Sequence, residues 1–192
     1  AKSTGIELEF DAERYECIAD TFKVFSELAS QTPFQRLVRQ AVQAHLTDIV
    51  ALMDRYGLRD KQIRIVKGAG VYPEKEGIVL DNPAQIIEQY LAILQGNTLA
   101  GQVPYVATVR DRKLAMRVKE MFPDSNTVAF EMLYGLFGRG LRDDLLDAGY
   151  PVRIYIPFVA DWCKDAWKAY GLRRAKMMRY LIWEEIKDKF RK

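Results

Sequence analysis

The 192 residues hold a single histidine, His45, and only two cysteines, Cys17 and Cys163. A zinc site or a histidine-based triad needs more ligands or bases than that, and the two thiols are too far apart for a metal or redox spacing. The expectation is two reduced thiols in an intracellular protein and no metal. Neither sign of charge dominates. Lys and Arg number 29 against 26 Asp and Glu, so the net charge is 29 − 26 = +3. That excludes the basic stripe of a nucleic-acid binder. No apolar run approaches the ~20 residues that cross a bilayer. The opening AKSTGIELEF lacks the apolar segment of a secretory signal. Gly-x-Gly-x-x-Gly after a strand and a Walker A loop are also missing.

What is present is alternation. IELEF (6–10), RLVRQAV (36–42), QIRIVKGAG (62–70), VPYVATV (103–109), TVAFEMLYG (127–135) and VRIYIP (152–157) read as strands. Several are short and rich in β-branched residues, as suits strands covered on both faces. Each is followed by a segment with apolar residues at helical spacing. Ile86, Ile87, Tyr90, Leu91 and Leu94 illustrate it, behind an Asn82–Pro83 start that supplies an N-cap and a proline at the first helical position. Strand–helix alternation predicts parallel strands with right-handed crossovers. Two α/β architectures satisfy it, a doubly wound sheet and a (β/α)8 barrel. The chain supplies about six βα units, with no linker to divide residues 1–192.

Polar residues gather towards the C-terminal ends of the strands. Asp11 follows the first, Gln40 lies in the second, and the third carries Arg64 and then Lys67-Gly68-Ala69-Gly70. Glu131 and Tyr134 sit in the fifth, and Arg153 and Tyr155 in the sixth. A charge inside a parallel strand is costly unless paired or liganded. Arg64 therefore predicts either an internal ion pair with Asp11 or Glu131, or a cation held under a cofactor. The glycines at 68 and 70 permit a flat ligand close to the backbone. On the terminal helix, Tyr170 is three and four residues from Arg173 and Arg174, so all three share one broad face. Two adjacent guanidiniums suit a carboxylate between them.

FDAE (10–13), QA (40–41), IRIVKGA (63–69), YVAT (105–108), FEMLYG (130–135), RIYIP (153–157) and YGLRR (170–174) occur in this order. With them the chain resembles the catalytic barrel of the proline dehydrogenase family. The resemblance implies a TIM-type (β/α)8 barrel, partial in this chain, with FAD across the strand ends. It implies oxidation of proline, or a close cyclic imino acid, to pyrroline-5-carboxylate by hydride transfer to the flavin N5. Arg64 and Asp11 would be catalytic. Gln40, Arg64, Val66, Lys67, Gly68, Ala69, Thr108, Glu131 and Met132 would line the flavin. Arg173 and Arg174 would clamp the substrate carboxylate, with Tyr155, Tyr170 and Leu133 around its ring. The family's setting is cytoplasmic or mitochondrial, with a quinone at a membrane surface as electron acceptor.

The chain departs from the pattern at three places. Gly70 stands where the family has an aromatic residue, Val109 stands where it has histidine, and AKMMRYLIWEEIKDKF follows the paired arginines. The family's first-strand lysine has no counterpart except Lys2, too close to the next strand. The expectation is a barrel whose first strands are missing or supplied by another segment or partner chain. A non-catalytic or partner-dependent interaction subunit on the same scaffold is the alternative function.

Overall fold

A computed structural model describes residues 7–12, 14–68, 74–107, 111–133 and 139–155. Among them the order is β1 Leu8–Phe10, α1 Tyr15–Ala29, β2 Val38–Gln43, α2 Ile49–Arg55, β3 Ile63–Val66, α3 Pro83–Leu99, β4 Tyr105–Ala107, α4 Arg112–Met121, β5 Ala129–Leu133, α5 Arg139–Asp147 and β6 Val152–Tyr155. The alternation expected from the apolar pattern is present across the described residues; the expected C-terminal helix lies outside them. The third and fifth strands are shorter than the sequence implies, and β2 runs past its expected end to Gln43.

All six strands are parallel and lie side by side in chain order. Side chains alternate across a strand, so register assigns faces. Ala41 pairs with Arg64, Arg64 with Tyr105, and Tyr105 with Ala129. These share one face, with Glu9 and Arg39, Glu131 and Arg153 on the same side. The opposite face carries Val38, Val42, Ile63, Ile65, Val106, Phe130 and Met132, all buried in the hydrophobic core. The helices cover that second face. α1 contributes Ile18, Phe22, Phe25 and Ala29 at spacings of four, three and four, one apolar stripe of a helix. α3 starts where Asn82 Oδ1 accepts from Ala84 N at 2.9 Å, with Pro83 next. It then buries Ile86, Tyr90, Leu91 and Leu94.

The sheet is strongly curled. Five spacings of about 4.8 Å would put β1 and β6 roughly 24 Å apart in a flat sheet. Yet Glu7, next to β1, reaches Arg153 of β6 at 2.6 Å. Two side chains cannot bridge a gap of that size, so the outer strands have bent towards each other. The first face is therefore a concave interior and the helices form the outer layer, the arrangement of a TIM-type barrel seen in part.

Polar side chains fasten α3 to this sheet, Tyr90 and Asn97 among them. Tyr90, fully buried, donates its hydroxyl to the Ile65 carbonyl at 3.0 Å. Asn97 Nδ2 donates to the Arg59 and Lys61 carbonyls at 2.8 and 3.0 Å, fixing the entry to β3. Tyr90→Phe keeps the ring and removes one bond, so it is expected to destabilise by about 1–2 kcal/mol. The midpoint of urea unfolding measures this, and an unchanged midpoint would show that the hydroxyl does not hold α3 to β3.

Candidate functional site

The concave face is built from alternate residues of each strand. β1 and its flanks supply Glu7, Glu9 and Asp11; β2 supplies Arg39, Ala41 and Gln43; β3 supplies Arg64 and Val66. Tyr105 and Ala107 follow from β4, Glu131 from β5, and Arg153 and Tyr155 from β6. An aliphatic barrel interior would be the cheaper solution. Here the interior is ionic, and its charges form two connected groups.

The first group lies towards the starts of the strands. Glu7 accepts from Arg39 at 2.7 Å and from Arg153 at 2.6 Å. Both guanidiniums also lie over the Tyr105 ring, at 3.5 and 4.5 Å from its centre. Arg153 donates to the Tyr105 hydroxyl at 3.1 Å. Burial pushes the Glu7 carboxyl up, but the hydrogen bonds from Arg153 and Arg39 outweigh it and hold the group below the usual range.

The second group centres on Arg64, which is 8% exposed. Its Nη1 contacts Glu9 at 2.6 Å and Glu131 at 2.7 Å, and its Nη2 contacts Asp11 at 2.9 Å. Burial works against its charge, and the three carboxylates overcome that, so its pKa rises. Glu9 moves the other way from Glu7: burial raises its pKa, and Glu131 adds to the rise against the pull of Arg64. The ion pairs with Asp11 and Glu131 expected as one reading of Arg64 are both formed. The Tyr155 ring centre is 5.7 Å from the guanidinium carbon.

Lys67 extends past β3 and binds Asp111 at 2.7 Å. Asp111 also caps α4 by accepting from Leu114 N at 3.0 Å. Burial raises the Asp111 carboxyl, but Lys67 and these amides lower it further. Gly68 has φ +84°, a conformation that favours glycine, and a Cβ there would collide with the His45 imidazole. The space beside Gly68 is thus filled by a side chain of the protein.

Of the site residues expected from sequence, Asp11, Arg64, Val66, Glu131 and Tyr155 share the concave face. Lys67 and Gly68 follow at the end of β3. Gln40 and Met132 are on the helix-facing side. Gln40 Nε2 donates to the Ala41 and Phe10 carbonyls at 2.9 and 3.3 Å, and Met132 is part of the apolar core. The strand contains a second Gln-Ala pair, 43–44, and Gln43 is the glutamine that lies on the concave side beside Val66. Leu133 is described only as strand backbone; Ala69, Thr108, Tyr170, Arg173 and Arg174 lie outside the described residues. Glu9 and Arg39 were not singled out by sequence reasoning. The acids at 7, 9 and 11, one every second residue, were the available signal.

A flavin needs donors for its ring nitrogens and carbonyls and cations for its phosphates. Arg64 Nε is buried without a hydrogen-bond partner among the described residues, and the partly exposed Lys67 ammonium stands at the same strand end. That donor set fits the group. No cluster of metal-ligating side chains occurs among the described residues. A cavity of about 500 Å³ lies at the other end of the strands, lined by Glu7, Arg39, Lys61, Gln62, Gln102 and Tyr105.

No family model matches the chain. Its relatives include the proline dehydrogenase of Deinococcus radiodurans, 30% identical over 168 residues, covering 84% of this chain and 52% of that protein. Proline dehydrogenase 2 of Bacillus subtilis is 28% identical over 128 residues, 65% of this chain and 41% of that one. Among solved structures, proline utilization A of Bdellovibrio bacteriovorus, inactivated by N-propargylglycine, superposes with a TM-score of 0.68 at 22% identity. It covers 90% of this chain and 20% of the other. A Bradyrhizobium japonicum proline utilization A mutant gives 0.68 at 22% identity, covering 81% and 18%. The structural likeness shows the fold, and the sequence likeness adds descent. The chain spans about half the length of the curated relatives it matches, and over that span it is similar in sequence to proline dehydrogenases and in fold to proline utilization A.

Proposed function

We propose that the chain carries the flavin- and substrate-binding half of a dehydrogenase that oxidises proline, or a close cyclic imino acid, to pyrroline-5-carboxylate. The observation that carries this reading is the convergence of Arg64, Asp11, Glu131 and Tyr155 on one concave face at the strand ends. FAD, when bound, supplies the hydride acceptor. Arg64, Val66, Lys67, Gly68, Ala69, Thr108 and Glu131 are the residues to hold it, with Gln43 in place of Gln40.

Each side chain has a definite task in this reading. Glu9, Asp11 and Glu131 fix the Arg64 guanidinium and leave the buried Nε among the donors open to a ligand. A donor fixed in advance need not reorganise as charge develops on its acceptor. Arg173 and Arg174 take the substrate carboxylate in a planar fork. Tyr155, Tyr170 and Leu133 pack the apolar ring, which orients the carbon that loses hydride. Arg64 bound by three carboxylates, in a chain matching half of its relatives, favours a second reading, a partner-dependent subunit on the same scaffold. In the first reading, too, the remaining strands come from a further segment or a partner chain. The electron acceptor we propose is a quinone. No helix among the described residues is long and apolar enough to cross a membrane.

The purified protein is expected to show the visible spectrum of oxidised flavin, alone or after adding FAD, and to bleach on anaerobic addition of proline. A colourless protein that takes up no FAD supports the partner-dependent reading, and a yellow one that proline leaves unbleached excludes proline as substrate. Arg174→Ala is expected to raise the KM for proline by about 10- to 100-fold, as for loss of a charge-assisted hydrogen bond, while FAD affinity stays unchanged. Unaltered proline kinetics would remove Arg174 from the clamp. Arg64→Met leaves three carboxylates facing one another. Its stability deficit is expected to be about 3–5 kcal/mol near neutral pH and to shrink as acid protonates Glu9, whose pKa burial already raises. A deficit independent of pH, from urea unfolding at a series of pH values, would show that the carboxylates do not depend on Arg64 for their charge.

A further inference from the structure

The histidine that supplies no metal site or triad sits at a junction. His45 follows β2 and is 5% exposed. Its backbone carbonyl accepts from Leu80 N at 2.7 Å, and its neighbours pair with the segment before α3 through the Leu46–Val79 bridge and Thr47 N to Ile78 O. Its ring lies against the other end of the same β3–α3 connection. The Lys67 carbonyl acts on the imidazole and favours its protonated form, and the ring's Nδ1 and Cε1 occupy the space that any Cβ at residue 68 would need. One side chain thus supports both the departure from β3 and the return to α3.

The second ring nitrogen gives this contact a condition. Nδ1 is buried with no hydrogen-bond partner. That is tolerable for a neutral ring whose proton sits on Nε2. A protonated ring carries N–H at both nitrogens, and a buried charged donor without an acceptor is costly. Little nearby can compensate. From β3, the Lys67 ammonium is tied to Asp111. From α1, Tyr15 donates its hydroxyl to Asp48 at 2.6 Å. α3 presents the uncharged Gln89, bonded to the Ala44 and Leu46 carbonyls. Glu74 is the carboxylate that acts on the ring, and it already accepts from Tyr15 N at 3.2 Å.

We propose that neutral His45 is the positioning residue of the Lys67–Gly68 turn, and that protonating it releases the turn and weakens whatever ligand that strand end holds. The release rests on geometry alone. Its consequence for FAD rests on the function proposed above.

The sign follows from burial. Burial depresses the His45 pKa, with Glu74 and the Lys67 carbonyl offsetting part of the effect. A base with a depressed folded pKa gives its full stability above its unfolded value, near 6.5. That stability falls as pH drops from there towards the folded value.

Hydrogen exchange of the turn amides, corrected for intrinsic rates, tests this between about pH 8 and pH 5. The full chain is expected to lose protection several-fold at the turn on the acid side, while the β5 amides stay protected. His45→Gln keeps a neutral donor and removes the titration, so its turn is expected to hold a constant protection over the range. If wild type and His45→Gln show the same pH profile, the proposal is overturned. Should that variant fail to fold, NMR titration of the wild type decides. The Gly68 amide must shift with the same midpoint as the imidazole, and a Gly68 signal indifferent to the imidazole overturns the proposal equally. FAD affinity by fluorescence quenching is the second readout, expected to weaken with acid in wild type and to stay flat in His45→Gln. A chain that takes up no FAD at any pH defeats the flavin reading and leaves the exchange result to judge His45.

Discussion

Arg64 is the constraint around which the interior is arranged. A guanidinium 8% exposed in a parallel strand has lost nearly all its water, and isolated it would cost many kcal/mol. It is retained because three strands answer it: β1 with Glu9 and Asp11, β5 with Glu131, and β6 with the Tyr155 ring. Those strands are not its neighbours in the sheet. The curl of the sheet draws these strands around one guanidinium, so the electrostatics of the interior and the curvature of the fold support each other.

The same reasoning separates two glutamates on one strand. Glu7 and Glu9 point the same way, two residues apart, yet their pKa values shift oppositely. Glu7 receives hydrogen bonds from two guanidiniums, Arg39 and Arg153, enough to overcome burial. Glu9 also meets two guanidiniums, Arg64 at 2.6 Å and Arg39 at 3.4 Å, but it is more deeply buried and shares Arg64 with two other carboxylates, so burial prevails. The strand starts therefore form a satisfied ionic layer, and towards the strand ends three carboxylates gather around Arg64. Satisfied charge lies at the end that holds the floor together. The unsatisfied balance lies at the end where the function proposed above puts the chemistry.

Much of this was legible in the sequence. Strand–helix alternation is written in two periodicities, and Asn82–Pro83 and Asp111 mark their helix starts as capping chemistry requires. Arg64 stood out because a charge in an apolar run demands an explanation, and the two candidate partners proposed for it are both its partners. Gln40 shows what sequence could not supply. VRQAVQAHL contains the pair Gln-Ala twice, three residues apart. With side chains alternating every residue, a shift of three moves a side chain to the other face. Only register shows that Gln43 faces inward while Gln40 faces the helices. Gly68 is the second case. A glycine after a strand reads as room for a ligand, but long-range packing fills that room with His45.

The ionic interior also bears on why such a face persists. Replacing buried ion pairs with apolar residues of similar volume is often neutral or stabilising, and the outer face of the same strands is built that way, from valine, isoleucine and phenylalanine. One sheet thus carries both solutions, separated by the pleat. The apolar side supplies folding energy through the helices, which lets the concave side hold charges that stability alone would not select. Four carboxylates, Glu7, Glu9, Asp11 and Glu131, face three guanidiniums, Arg39, Arg64 and Arg153. Their imbalance falls at Arg64, where further ionisation of Glu9 is opposed by burial and by Glu131. A proton or a donor arriving at that end meets the Glu9 carboxyl, which burial and Glu131 already hold above its usual range against the pull of Arg64.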